Sequence, residues 1–139
     1  MGLLFNDEKE IKYAVHEEFK NTDNYMVAIK HDNIGKNLLK LMVSDLFYTI
    51  DSTRTFVINF NEDGIYEKEI SNSMKRDFLL MPWSEVEDFE VIEKNNKVFI
   101  KFKHIGKGTG YEIPFNGKIF NDNKVNFKNL KDKNFFQII

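Results

Sequence analysis

Cysteine is absent from the 139 residues. No disulfide framework, thiol nucleophile or Cys-ligated metal is therefore available, which fits a reducing interior. Proline occurs only twice and tryptophan once. No stretch rich in Pro, Gly or Ser divides the chain, and no repeat or low-complexity tract appears. Long hydrophobic runs are missing too. The longest strongly apolar stretch, Leu38 to Val43, is broken by Lys40 and is far too short to span a bilayer. Met1-Gly2-Leu3-Leu4-Phe5-Asn6 lacks the basic start of a signal peptide, and Asn6 stands where N-myristoylation wants Ser or Thr. One domain over residues 1–139, located in the cytoplasm, is the expectation.

What is present is aromatic and evenly charged. Apolar residues make up 42% and aromatics 14%, too rich a mixture for a disordered chain. A net charge of −2 excludes both a wholly basic nucleic-acid coat and an acidic tail protein. The average conceals an asymmetry. Residues 1–90 carry 10 Lys and Arg against 18 Asp and Glu, whereas residues 91–139 carry 10 Lys against 4 acids. The halves can attract one another within one fold or present opposite faces to partners.

Hydropathic period changes twice along the chain. Ile11, Val15 and Phe19 form a helical stripe over 7–20, with Asn6 as cap, Asp7 and Glu8 in the first turn, and Asn21 as stop. Tyr25 to Lys30 reads as a short strand. Asp32 is placed to cap a second helix over 33–43, and the run 46–50 fits helix or strand. From residue 53 the period is two. Phe56, Ile58 and Phe60 share one face, and Thr55, Val57 and Asn59 the other. Asn61-Glu62-Asp63-Gly64 reads as a turn into a strand over 65–70, and Ser71 to Asp77 as a loop. Strands follow over 78–83, with Pro82 marking an edge or bulge, and over 88–94. Asn95-Asn96 turns into Val98, Ile100 and Phe102. Gly106-Lys107-Gly108-Thr109-Gly110 turns into Tyr111, Ile113 and Phe115. The chain closes on a helix capped by Asn123, with Phe127, Leu130 and Asn134 or Phe135 on one side; its apolar tail should pack back on the sheet. The fold class is therefore α+β, mainly β: a strongly bent antiparallel sheet or partly open barrel, with a C-terminal helix plugging its open end.

Three segments resemble the bacterial pleckstrin-homology-like domains. Ser52-Thr53-Arg54 leads into Phe56-Val57-Ile58 as the family's Thr-x-Arg leads into a first strand. Met81-Pro82-Trp83-Ser84-Glu85-Val86-Glu87-Asp88-Phe89 is similar to the family's Pro-Trp-x-x-Ile bend, and Asn126 to Phe136 resembles its closing helix. The likeness covers roughly residues 50–139. It sets residues 1–45 apart as an extra N-terminal helical segment and 46–139 as sheet and capping helix. It implies about seven strands and no enzyme activity, with proteins, peptides or lipids as ligands. Fold alone does not choose among these.

No catalytic constellation stands out. His16, His31 and His104 show no metal-ligand spacing, and no Gly-x-Ser-x-Gly elbow is present. Gly106-x-Gly108-x-Gly110 lacks the Walker spacing and precedes a strand, so it reads as a hairpin turn rather than a phosphate loop. Acid pairs Glu62/Asp63 and Glu87/Asp88 sit in wet turns. No cofactor or metal is expected. The family's lipid-gripping members generally use Lys and Arg around the first hairpin loop. Asn61–Gly64, taken as that loop, carries two carboxylates instead, which would repel a phosphate. Lys101, Lys103, Lys107, Lys118, Lys124 and Lys128 offer a basic face elsewhere, and with Phe99, Phe115 and Phe120 they invite a nucleic-acid reading. Phe115, by strand parity, belongs instead to the core. The expectation is a non-catalytic module that binds protein, itself included. Trp83, Lys101, Lys103, Lys107, Lys118 and Lys128 are its candidate contact residues. A membrane surface is less favoured and nucleic acid least.

Overall fold

The structure is a computed structural model and describes residues 8–32, 54–70, 77–117 and 119–136. Helix α1 (Glu8–Phe19) carries the expected stripe, with Ile11 and Val15 buried. It ends at Phe19, two residues before Asn21. Lys20 adopts left-handed backbone at φ 63°, and its N–H donates to the His16 carbonyl at 2.8 Å. The second helix over 33–43 and the run 46–50 lie outside the described residues.

Seven strands follow the period-two segments: β1 (Tyr25–Asp32), β2 (Arg54–Asn61), β3 (Gly64–Glu69), β4 (Leu79–Pro82), β5 (Val86–Glu93), β6 (Lys97–His104) and β7 (Lys107–Pro114). They form one antiparallel sheet in the order β4-β3-β2-β1-β7-β6-β5. The boundary expected near residue 45 does not separate the sheet from what precedes it. Tyr25–Asp32 is its central strand, paired with both β2 and β7. The reason is legible in its side chains: Met26 and Ala28 are buried on one face, Tyr25, Val27 and Ile29 on the other.

The order also forces the sheet to curl. In a flat sheet the outermost strands β4 and β5 would stand about 29 Å apart. Yet only the three residues of a 3₁₀ turn, Trp83–Glu85, join them. That link spans at most about 14 Å. The two edges therefore face each other across a seam that no ladder among the described residues closes.

Each face has its own core. Phe56, Ile58, Phe60, Val98, Ile100, Phe102, Tyr111 and Ile113 line the inner face, which helix α2 (Asn123–Asp132) plugs with Phe127 and Leu130. Phe135 packs there as well, so the described part of the tail folds back as expected. Each such buried side chain stabilises by about 1.5–3 kcal/mol before entropy costs. The outer face buries Val27, Ile29 and Val57 beneath Ile11 and Val15 of α1.

Asn123 does not cap α2. The cap position is Asp122, which makes no side-chain capping bond, and Asn123 is buried. Its side chain accepts from the Val27 N–H at 2.8 Å and donates to the carbonyls of Val27 and Pro114 at 2.8 and 2.7 Å. It thereby ties the helix to β1 and β7. A short polar side chain satisfies unpaired strand groups here instead of helix amides.

Gly64 sits at φ 148°, and a Cβ there would lie 2.1 Å from the Met81 carbonyl oxygen. Only glycine lets β4 approach β3 at this point. The five-residue glycine turn expected at 106–110 is shorter in the structure. The chain reverses at Ile105 and Gly106, and Lys107 to Gly110 are already strand. Positive φ at both turn residues, 53° and 77°, matches the primed turn whose twist suits a two-residue hairpin.

Candidate functional site

A cleft of about 440 Å³ opens at the seam between the sheet edges, lined by Glu62, Trp83, Ser84, Val86, Asp88, Phe89 and Phe136. Trp83 is its fixed wall. The indole Nε1–H donates to the Asn61 carbonyl at 2.9 Å, and the Trp83 backbone N–H donates to the Asp63 carbonyl at 3.2 Å. The ring lies near-parallel to Phe60 at 6.4 Å and meets Phe89 edge-on at 5.7 Å. Trp83 thus both locks the corner after Pro82 and offers apolar surface to the cleft. Phe89 reaches the cleft because β5 carries a bulge between Glu87 and Glu90, with Asp88 at φ 57°. Glu62 and Asp88 place carboxylates among the apolar lining.

The candidate lysines do not converge on one basic face. Lys101 pairs with Glu90 at 3.0 Å and Lys103 with Asp88 at 3.5 Å, across β5 and β6. Lys107 follows the β6–β7 turn, whereas Lys124 and Lys128 ride α2 at the other end of β7, seven residues and about 24 Å away. Lys118 lies outside the described residues. Phe99 and Phe120 are buried and Phe115 packs against the inner core beside Phe127, so none of the three is free to stack a base. His16 is exposed, and His104 Nε2 meets Glu85 at 2.9 Å.

Two carboxylates are buried within the sheet, one on each face. Glu67 receives two hydrogen bonds from Lys30 Nζ, at 3.0 and 2.9 Å, and another from the Tyr111 hydroxyl. Lys30 also lies over the Phe56 and Tyr111 rings. On the outer face Glu112 is held by Lys97 Nζ at 3.0 Å and His31 Nε2 at 3.1 Å. An ionised carboxylate only accepts, so His31 Nε2 carries the proton. Burial alone would raise the Glu112 pKa, but the bonds and charges of His31 and Lys97 outweigh it and hold the group below its ordinary value. Neither cluster lines the cleft beside Trp83.

Among the described residues no group of three or more His, Asp or Glu side chains could hold a metal ion. No helix among them is long and apolar enough to cross a membrane. Sequence reasoning singled out Trp83, as the sole tryptophan beside a proline, but missed Ser84, Val86, Asp88, Phe89 and Phe136 as its cleft partners. The Phe-rich tail was the one signal for Phe136; the bulge that turns Asp88 and Phe89 has no signature in the alternation. Compared with family models, curated proteins and solved structures, the chain matches none.

Proposed function

We propose that this chain is a non-catalytic interaction module of pleckstrin-homology-like fold, which takes an apolar side chain of a protein segment at the seam beside β5. Seven antiparallel strands closed at one end by a C-terminal helix support the fold assignment. The residue correspondence shifts, however. The Arg54 segment opens the second strand, not the first. Asn61–Gly64 is consequently the second hairpin, and the first connection, residues 33–53, lies outside the described residues. Repulsion of phosphate by Glu62 and Asp63 therefore says nothing about the first loop.

The observation that carries the reading is the cleft itself. Trp83, Phe89, Val86 and Phe136 form its apolar floor beside a sheet edge that is unpaired among the described residues, a setting in which an apolar side chain of a partner gains a pocket. Glu62 and Asp88 suit a segment with a cation beside its apolar residue. Headgroup or nucleic-acid binding through a basic C-terminal face is the weaker reading, because Lys101 and Lys103 are paired with acids and Lys107 stands far from Lys128.

Selection of a displayed peptide library tests this. Selected peptides should carry an apolar residue next to Lys or Arg and should change the fluorescence of Trp83, the single tryptophan. Ser84→Arg, an exposed position whose new side chain would fill the cleft, should abolish that binding. Equal binding to wild type and Ser84→Arg would overturn the proposal.

A further inference from the structure

Ile105 stands where physical chemistry disfavours it twice. It is 73% exposed at the tip of the β6–β7 hairpin. It also holds φ 53°, a left-handed backbone in which a branched Cβ is strained. Two-residue turns of this kind favour Asn-Gly, and Gly106 already fills the second place. Asn at position 105 would relieve the backbone and suit water. Among the described residues the Ile105 side chain is left largely in water, and strain kept at such a position invites a functional reading.

Its surroundings say what it fits. Lys103 and Lys107 flank it in sequence, and both side chains reach solvent. An apolar knob between cations is the complement of an apolar cleft that includes Glu62 and Asp88. Knob and cleft are also neighbours. The Ile105 N–H donates to the Glu85 carbonyl at 3.2 Å, and Lys103 pairs with Asp88 of the cleft wall. A two-fold axis beside them would set each knob against the other copy's cleft.

We propose that the segment taken by the cleft is the Ile105 hairpin of a second copy of this chain, the two copies exchanging knobs reciprocally. This rests on the cleft reading above and names its occupant. Lys103 then exchanges its intramolecular contact with Asp88 for contacts across the interface. The strain at Ile105 is retained because the side chain gains burial only in the assembly.

Sedimentation of the full chain over a concentration series tests it. Wild type should form dimers. Ile105→Asn, which removes the knob while easing the turn, and Ser84→Arg, which fills the cleft, should each raise the dissociation constant by about tenfold or more. Mixed one to one, the two variants should recover dimer, because one intact knob then meets one intact cleft. Neither variant can do so with itself. Wild type that stays monomeric at its solubility limit overturns the second copy as occupant. If library peptides still bind the cleft, the reading of the cleft survives that result. Unchanged dimerisation in Ser84→Arg, with peptide binding unchanged, overturns both. Monomeric protein that pellets with phosphatidylserine vesicles, and loses this in Ile105→Asn, overturns the proposal and gives Ile105 to a lipid surface.

Discussion

Tyr111 and Glu112 are neighbours on β7, yet they serve buried charge clusters on opposite faces of the sheet. Inside, Tyr111 and Lys30 clamp Glu67 among aromatic rings. Outside, Lys97 and His31 clamp Glu112. Both clusters join a carboxylate to a lysine from a different strand. They differ in the second donor. In the inner cluster it is a phenol set among aromatic rings, and in the outer one an imidazole. In the outer cluster the two donors hold the Glu112 pKa below its ordinary value. One residue of register separates the two environments, because successive strand side chains point to opposite faces.

The largest effect should come from breaking the inner pair. Glu67→Gln leaves the Lys30 ammonium, mostly shielded from water over the Phe56 ring, with one weak acceptor. The expected loss is about 3–5 kcal/mol, the usual cost of orphaning a buried charge. The midpoint of urea unfolding measures it. Replacing both partners, as Lys30→Met with Glu67→Leu, removes the charge as well as its mate and should recover most of that loss. Failure of the double variant to recover would mean that the pair does more than neutralise itself, and that Tyr111 depends on the Glu67 carboxylate.

Alternation made much of the inner face legible in sequence. Phe56, Ile58 and Phe60, and again Val98, Ile100 and Phe102, are apolar at every second residue because one side of each strand must leave water. The helix stripes and the Pro82-Trp83 corner were legible for related reasons. What hydropathy could not convey was which strands become neighbours. Lys30 and Lys97 look like ordinary surface cations, since Glu67 lies 37 residues from the first and Glu112 lies 15 from the second. Asn123 looks like a cap for the same reason: the strand groups it satisfies are long-range, and only the finished topology brings Val27 to it. The cleft was half legible. Its tryptophan stands out in composition, but its shape depends on a bulge at Asp88 and on the seam, which are tertiary facts.

The outer cluster should yield a smaller and pH-dependent effect. The Glu112 pKa is lowered in the folded chain, so its contribution is present above the unfolded carboxylate value and is lost as pH falls through the folded one. Stability of the wild type should therefore drop on acidification below about pH 4.5. Glu112→Gln should be less stable near neutrality and should show a flatter acid limb, with the two curves converging at low pH. Unfolding midpoints from pH 3 to 7 measure this. Parallel curves would show that Glu112 titrates alike in folded and unfolded chains, and that His31 and Lys97 do not hold its pKa down.

The smallest effects belong to the exposed lysines. Lys101 and Glu90 meet at 3.0 Å with side chains 40% and 57% exposed, and Lys103 and Asp88 are more exposed still. Such pairs are worth about 0–1 kcal/mol and are screened by salt. Lys101→Glu and Lys103→Glu should each shift the unfolding midpoint slightly, and less at high salt. Their effects on association should diverge. Lys103 flanks the Ile105 hairpin and Asp88 of the cleft, so reversing it sets like charges together at the exchanged contact and weakens the dimer. Lys101 stands two residues further from the hairpin tip, against Glu90, which does not line the cleft, and reversing it should leave association as it was. Equal weakening by both would mean that broad charge asymmetry, rather than one knob in one cleft, draws the copies together.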